Sequence, residues 1–259
     1  MELLLFSLSI IPVILIGYFI YKKDKDKERP KLLLKLFLGG IFSCLLVLVL
    51  SSILHAIFPF FSQEMEGQSL LQLVISVFIG VALIEEFCKW IMVYKISYND
   101  DEFDHIFDAI VYAVFVALGF AFLENLFYVY SMGVSTGLIR ALTAVPAHAS
   151  FGIFMGYYLG LAKLSRLNNN LNLSRKYIAM SIIVPVVLHG IYDYCLLTGE
   201  IIFVLLFFAF TIAMFAIAFK KIKQFTSITR NMKYKDSYCT NCGRIVESTF
   251  CPGCGKKND

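Results

Sequence analysis

Seven long apolar runs, parted by short stretches that hold nearly all the charge, leave this 259-residue chain few folds to choose from. A run of about 20 apolar residues matches the hydrocarbon thickness of a bilayer, and in lipid the backbone must satisfy its own hydrogen bonds, which favours helices. The runs predict spans at 3–21, 35–58, 69–94, 106–130, 137–162, 177–197 and 200–219. A mean hydropathy of +0.74 excludes an ordinary soluble domain. The expected fold is therefore an all-α bundle of about seven transmembrane helices in contact with the lipid bilayer.

The basic residues orient that bundle. Seven lie between 22 and 35, four between 163 and 176 (Lys163, Arg166, Arg175, Lys176) and nine follow the last span, while the loops near 59–68, 131–136 and 198–199 hold none. The positive-inside rule then sets the N-terminus outside and the C-terminus in the cytosol of what reads as a bacterial cell-membrane protein. The first span lacks a preceding basic region and a small-residue cleavage site, so it reads as a retained anchor. Arg140, at the outer start of the fifth span, is a mild exception to the charge pattern. The net charge of +4 reflects these loop lysines and not a nucleic-acid surface.

Within the spans, charge is rare and costly. Glu85, Glu86 and Lys89 fall in the middle of the third run, where each charge costs roughly 2.5 to 3.5 kcal/mol unless it faces protein or water. At about 100° per residue Lys89 points between the two glutamates, so one helix face carries all three. The other intramembrane polar groups are Glu124 and Asn125 on the fourth span, His148 on the fifth, and His189 and Asp193 on the sixth. His189 and Asp193 are four residues apart and project together. Asn125 suits a packing bridge as well as a functional role. Gly152, Gly156 and Gly160 recur beside His148 and predict close approach of a neighbouring helix. His55, His105, Asp104 and Asp108 sit near span ends, where interfacial or helix-capping roles are expected. Cys44, Cys88 and Cys195 read as small buried hydrophobes.

The chain divides into a membrane domain at 1–223, a polar linker at 224–236 and a tail at 237–257. That tail carries Cys239-Thr-Asn-Cys242-Gly and Cys251-Pro-Gly-Cys254-Gly. Two such pairs supply four thiolates for tetrahedral zinc, and so small a unit needs a structural Zn2+ to fold. A cytosolic zinc ribbon, open to a cytosolic partner, is expected over a redox pair or two disulfides because cytosolic thiols stay reduced.

Four ordered motifs between about 70 and 194 resemble the PrsW family of intramembrane proteases, itself related to the CAAX prenyl proteases: Glu85-Glu86-Phe-Cys-Lys89, Asp108 through Gly119-Phe120-Ala121 to Glu124-Asn125, Pro146-Ala-His148, and His189-Gly-Ile-Tyr-Asp193. Ala109 departs from the glycine that the family often carries there. The resemblance implies hydrolysis of a peptide bond in a membrane-anchored protein, as in cleavage of an anti-sigma factor. It also implies Glu85, Glu86, Glu124, His148, His189 and Asp193 as catalytic candidates, with Lys89 and Asn125 supporting.

Two mechanisms fit these residues. In one, Glu85 or Glu86 with His148 polarises a water while His189 and Asp193 stabilise the intermediate; in the other, His148, His189 and a carboxylate hold a second Zn2+. The chain has no H-E-x-x-H, so a conventional zincin site is not expected; the resemblance implies a family classed among metalloproteases whose CAAX relatives look like glutamate-and-histidine enzymes, and the metal-free version is slightly preferred. A proton- or metal-coupled transporter, and a silent scaffold recruiting a partner through the ribbon, are the competing readings.

Overall fold

A computed structural model describes residues 2–62 and 68–226, together with Cys254 and Lys256. The described residues form helices and no strand, and seven helical units are long and apolar enough to cross a membrane. In chain order these are α1 (Glu2–Lys23); α2 (Pro30–Ile57); a third unit formed by α3 (Leu70–Ile75), a π-helical stretch (Ser76–Leu83) and α4 (Ile84–Ser97); α5 (Ile106–Met132); α6 (Val134–Leu142) with α7 (Ala144–Leu167); α8 (Leu171–Leu197); and α9 (Ile201–Thr226). Cys239, Cys242 and Cys251 of the expected ribbon lie outside the described residues, and Cys254 is exposed.

Local chemistry explains most of the boundaries. Pro30 opens α2, where its missing N–H would have lacked a helical partner anyway. Ser69 and Gln72 form a reciprocal capping box at the start of α3. The Asp108 carboxylate accepts the backbone N–H groups of Asp104 at 2.9 Å and His105 at 2.6 Å, so it does act as a cap for α5. Gly133 ends α5 with φ at 85°, a conformation that costs a glycine little.

Two departures from regular helix lie near the polar residues. The expected fifth span at 137–162 is broken at Thr143, which takes φ −118° and ψ −65° between α6 and α7. Pro146 stands in the first turn of α7, where a proline is tolerated, and so marks a new helix start. The widened π-helical turns end directly before Ile84, so the regular geometry that aligns Glu85, Glu86 and Lys89 begins with α4 itself.

α5 is the buried axis of the bundle, whereas α1 and α9 keep most of their apolar side chains on the outer surface, as lipid contact requires. The glycine stripe of α7 packs on α5. A Cβ placed on Gly156 would stand 2.2 Å from the Ala109 carbonyl oxygen, and Gly152 and Gly160 meet Ala113 and Ile106 in the same way. This close approach fixes the distance between the helices that carry Glu124 and His148. Cys44, Cys88 and Cys195 are buried, as expected of small hydrophobes.

At one end of the bundle the α1–α2 and α4–α5 connections meet. Arg29 pairs there with Asp100 at 2.8 Å and with Glu102. Glu28 is buried and accepts a 2.6 Å hydrogen bond from the Tyr112 hydroxyl. Burial, helped by the neighbouring Asp108 carboxylate, holds the Glu28 carboxyl well above the ordinary range.

Candidate active site

Lys89 is the hub of the intramembrane cluster. Its position on α4, three and four residues beyond the glutamates, lets its ammonium reach Glu86 Oε1 at 2.8 Å and Glu85 Oε2 at 3.2 Å. The third donor goes to His148 Nδ1 on α7 at 3.1 Å, and the Phe120 ring lies 3.8 Å away. A lysine has three N–H donors, and here all three are used while an aromatic face covers the group.

That arrangement sets the state of His148. Because Nδ1 accepts from Lys89, the proton of the neutral ring sits on Nε2, which donates to Glu124 Oε2 at 2.8 Å. The same carboxylate oxygen receives the guanidinium of Arg140 at 2.7 Å. Arg140 Nε also donates to Asn125 Oδ1 at 3.0 Å, and Asn125 Nδ2 reaches the Leu8 carbonyl at 3.4 Å. Asn125 thus ties α5 to α6 and α1, which is the packing bridge that its amide suggested.

His189 lies among three carboxylates. Nδ1 faces Glu86 Oε1 at 3.0 Å; Nε2 faces Asp193 Oδ2 at 3.1 Å and Glu85 Oε2 at 4.0 Å. Phe151 stacks on the ring at 4.9 Å and 20°. The chain therefore brings Glu85, Glu86, Lys89, Glu124, His148, His189 and Asp193 into one network. His55 is not part of it, being exposed near the end of α2, and His105 belongs to the loop end of the bundle.

A cavity of about 440 Å³ opens on this network between α4, α5, α6, α7, α8 and α9. Glu85, Glu124, Arg140, His148, His189 and Asp193 line it, and Glu86 and Lys89 stand behind them, 0% and 1% exposed. The double glutamate is thus divided: Glu85 meets the cavity, and Glu86 supports Lys89 and His189 from within the protein. The far wall is apolar, with Leu196, Leu197, Phe207 and Phe208 among its residues.

Arg140 is the site residue that charge patterning did not place. Its signal was present, since it is the one arginine or lysine near the end of the bundle otherwise free of basic residues. The break at Thr143 sends α6 across the cavity mouth and turns Arg140 inward to Glu124, so an apparent exception to the charge rule is a paired site residue.

The donor set is also suited to a divalent cation. Among the described residues, Glu85, Glu86 and His189 are buried and present ligand atoms within 4.8 Å of one another. Glu86 Oε2 is buried with no hydrogen-bond partner. Four carboxylates, Glu85, Glu86, Glu124 and Asp193, face two permanent cations, Lys89 and Arg140, leaving an excess of two negative charges when the histidines are neutral. A divalent ion, or protons on the histidines and carboxylates, offsets that excess. His148 is not in this convergent group, because its ring nitrogens face Lys89 and Glu124.

A family model described as PrsW family intramembrane metalloprotease matches residues 28–219. The protein named Protease PrsW from Oceanobacillus iheyensis is 37% identical over 218 residues, covering 84% of this chain and 94% of that protein. Its namesake from Geobacillus kaustophilus is 37% identical over 197 residues, 76% and 81% of the two chains, and that from Clostridioides difficile 31% over 237 residues, 90% and 95%. No solved structure matches. With residues from each of its four motifs lining one cavity in a bundle of seven membrane-spanning-capable helices, the chain belongs to the PrsW family of intramembrane proteases.

Proposed function

We propose that this membrane peptidase hydrolyses a peptide bond of a single-span, membrane-anchored protein at the cavity, with Glu85 as the group that takes a proton from the attacking water. One observation carries the assignment: Glu85 lines the cavity while its neighbour Glu86 is enclosed by Lys89 and His189. The apolar far wall suits a substrate that arrives from lipid. A membrane-anchored anti-sigma factor is the substrate class that the family resemblance suggests.

Hydrolysis asks for three services. Water must lose a proton as its oxygen attacks the carbonyl carbon, the resulting oxyanion needs a donor, and the departing amine must be protonated. Glu85 accepts the first proton and, in its acid form, returns one to the amine as the C–N bond breaks. His189 is the donor for the oxyanion, its Nε2–H turning from Asp193 to the substrate while Glu86 on Nδ1 and the stacked Phe151 ring hold the imidazole. Glu86 and Lys89 hold His189 and Glu85 in register, and the Lys89–His148–Glu124–Arg140 chain ties α4, α5, α6 and α7 around them.

A divalent cation held by Glu85, Glu86 and His189 would supply acidified water and a polarised carbonyl. The family description and the two-charge excess support its presence, and the lack of H-E-x-x-H means that any such ion would be held outside a zincin motif.

The same reading keeps the membrane unit at 1–223, the linker at 224–236 and a ribbon at 237–257 in which Cys239, Cys242, Cys251 and Cys254 hold structural Zn2+ and recruit a cytosolic partner. The clustering of basic residues supports an outer N-terminus and a cytosolic C-terminus. Purified protein in liposomes, offered a library of single-span substrates, tests the activity. Cutting by the wild type that is lost in Glu85→Gln supports the proposal, and failure to cut any substrate refutes it. Zinc bound by a chain ending before Tyr238 tests the second metal, and cysteine labelling from outside intact cells tests the orientation.

A further inference from the structure

A second cavity, of about 400 Å³, runs between α1 and α9 with α7 as its floor. Leu15, Phe19 and Ile20 of α1 form one wall, and Phe215, Phe219 and Ile222 of α9 form the other. The floor is Pro146, Ala149, Ser150 and Ile153. Its one side-chain hydroxyl, that of Ser150, donates to the Pro146 carbonyl at 2.9 Å, so the lining is apolar in effect. Leu15 and Phe219 on the rim are 62% and 57% exposed, which opens the groove to the hydrocarbon around the bundle. The same turns of α7 send Ala147, His148 and Phe151 to the catalytic cavity, so the two cavities lie on opposite faces of one helix.

An apolar groove in a membrane is open to many occupants, and two further observations narrow the choice. The first is its width. Phe19 and Phe219 meet edge to face with ring centroids 5.9 Å apart, so two rings in contact bridge the groove. A helix with its side chains is about 10–12 Å across and cannot lie between rings that touch. The space that the rings and α7 enclose suits a single extended hydrocarbon chain.

The second observation is the charge at one end. One turn beyond Phe19 stands Lys23, its ammonium 5.6 Å from that ring centroid, and one turn beyond Phe219 stands Lys223. At about 100° per residue each lysine falls about 40° from its phenylalanine, so both continue the helix faces that line the groove. Both are exposed, and among the described residues neither is ion-paired. Asp24, next to Lys23, is buried in a separate cavity with His105 and Asp108.

We infer that the groove between α1, α7 and α9 binds one anionic phospholipid, with an acyl chain along the α7 floor and the phosphate between Lys23 and Lys223. Lysines at the ends of membrane helices meet phosphate at headgroup depth, and two of them at one headgroup favour a lipid of net negative charge over one that carries its own ammonium. A chain seated there packs against α7 behind His148 and stabilises the helix. The inference does not rest on the protease reading, because none of its residues lines the catalytic cavity.

Phosphatidylglycerol is the probe and phosphatidylcholine its control. Purified full-length protein in detergent is titrated with each, and bound lipid is counted by native mass spectrometry. One phosphatidylglycerol per chain should be held at least tenfold more tightly than phosphatidylcholine. Lys23→Gln combined with Lys223→Gln should abolish that preference, and Leu15→Trp, which fills the groove from its exposed rim, should weaken phosphatidylglycerol at least tenfold. Lys22→Gln combined with Lys220→Gln removes the same charge from the same helix ends and should keep the preference. All four lysines are exposed, so lipid-free unfolding midpoints should match the wild type and exclude loss of fold as the cause. Phosphatidylglycerol should raise the midpoint of the wild type and of the Lys22/Lys220 variant, and leave that of the Lys23/Lys223 variant unchanged. Equal retention of the two lipids, a preference that survives in the Lys23/Lys223 variant, or equal loss in both lysine pairs would overturn the site. Displacement of the bound lipid by a single-span peptide would overturn it too, by making the groove a seat for substrate.

Discussion

At mid-membrane, Lys89 directs every donor to Glu85, Glu86 or His148, and Glu124 is met by both His148 and Arg140. At the loop end, by contrast, the pairs that Arg29 makes with Asp100 and Glu102 are partly exposed, and Asp26 is exposed. The contrast follows from what each region has for a solvent. Hydrocarbon supplies no hydrogen bonds, so the inner charges are joined across helices into one network. Water reaches the loop end, where such charges are solvated without a network that spans several helices.

The sharpest way to break that comparison is to remove the hub. Lys89→Met takes the shared ammonium from Glu85, Glu86 and His148, and loss of a buried ion-pair partner costs about 3–5 kcal/mol. A large fall in the unfolding midpoint in detergent checks this, and an unchanged midpoint would mean that water already enters the network. Next comes Gly156→Ala, whose methyl would meet the Ala109 carbonyl at 2.2 Å and push α7 from α5. Overpacking of this kind costs about 1–3 kcal/mol, and cleavage should fall with stability because Glu124 and His148 separate.

Arg140→Gln removes a charge at the cavity mouth without emptying the core. Cleavage should drop about tenfold, close to 1.4 kcal/mol, mainly in kcat, with little change in midpoint; steady-state kinetics on a single-span substrate measures the split. The smallest effect belongs to His55→Ala. This exposed histidine lies outside both clusters, and its midpoint should stay within about 0.5 kcal/mol of the parent.

Much of this was legible before any coordinates. The apolar runs marked seven spans, the spacing of Glu85, Glu86 and Lys89 placed them on one face, and the glycine stripe from Gly152 to Gly160 announced a tight helix contact, all because helical periodicity is a local property. The division of labour between Glu85 and Glu86 was not legible. Adjacent residues differ by about 100° in azimuth, and only the seating of α4 against α7 and α8 decides which one meets the cavity. The π-helical turns at Ser76–Leu83 hold Gly80, but a single glycine in an apolar run does not distinguish a π turn from regular helix. The burial of Asp24 and Glu28 was not legible either, because it depends on α5 and the distant loop before it. Arg140 was visible as an oddity, but its partner Glu124 lies on another helix.

The central claim is that Glu85 performs the chemistry while Glu86 maintains the geometry. Cleavage of a single-span substrate in liposomes, measured alongside the unfolding midpoint for Glu85→Gln and Glu86→Gln, tests it most directly. Glu85→Gln should keep nearly the parent midpoint yet lose about 100-fold or more in rate, as expected for loss of a general base, whereas Glu86→Gln should lose stability as Lys89 and His189 are released. A Glu85→Gln protein that is folded and cuts as fast as the wild type would contradict the account.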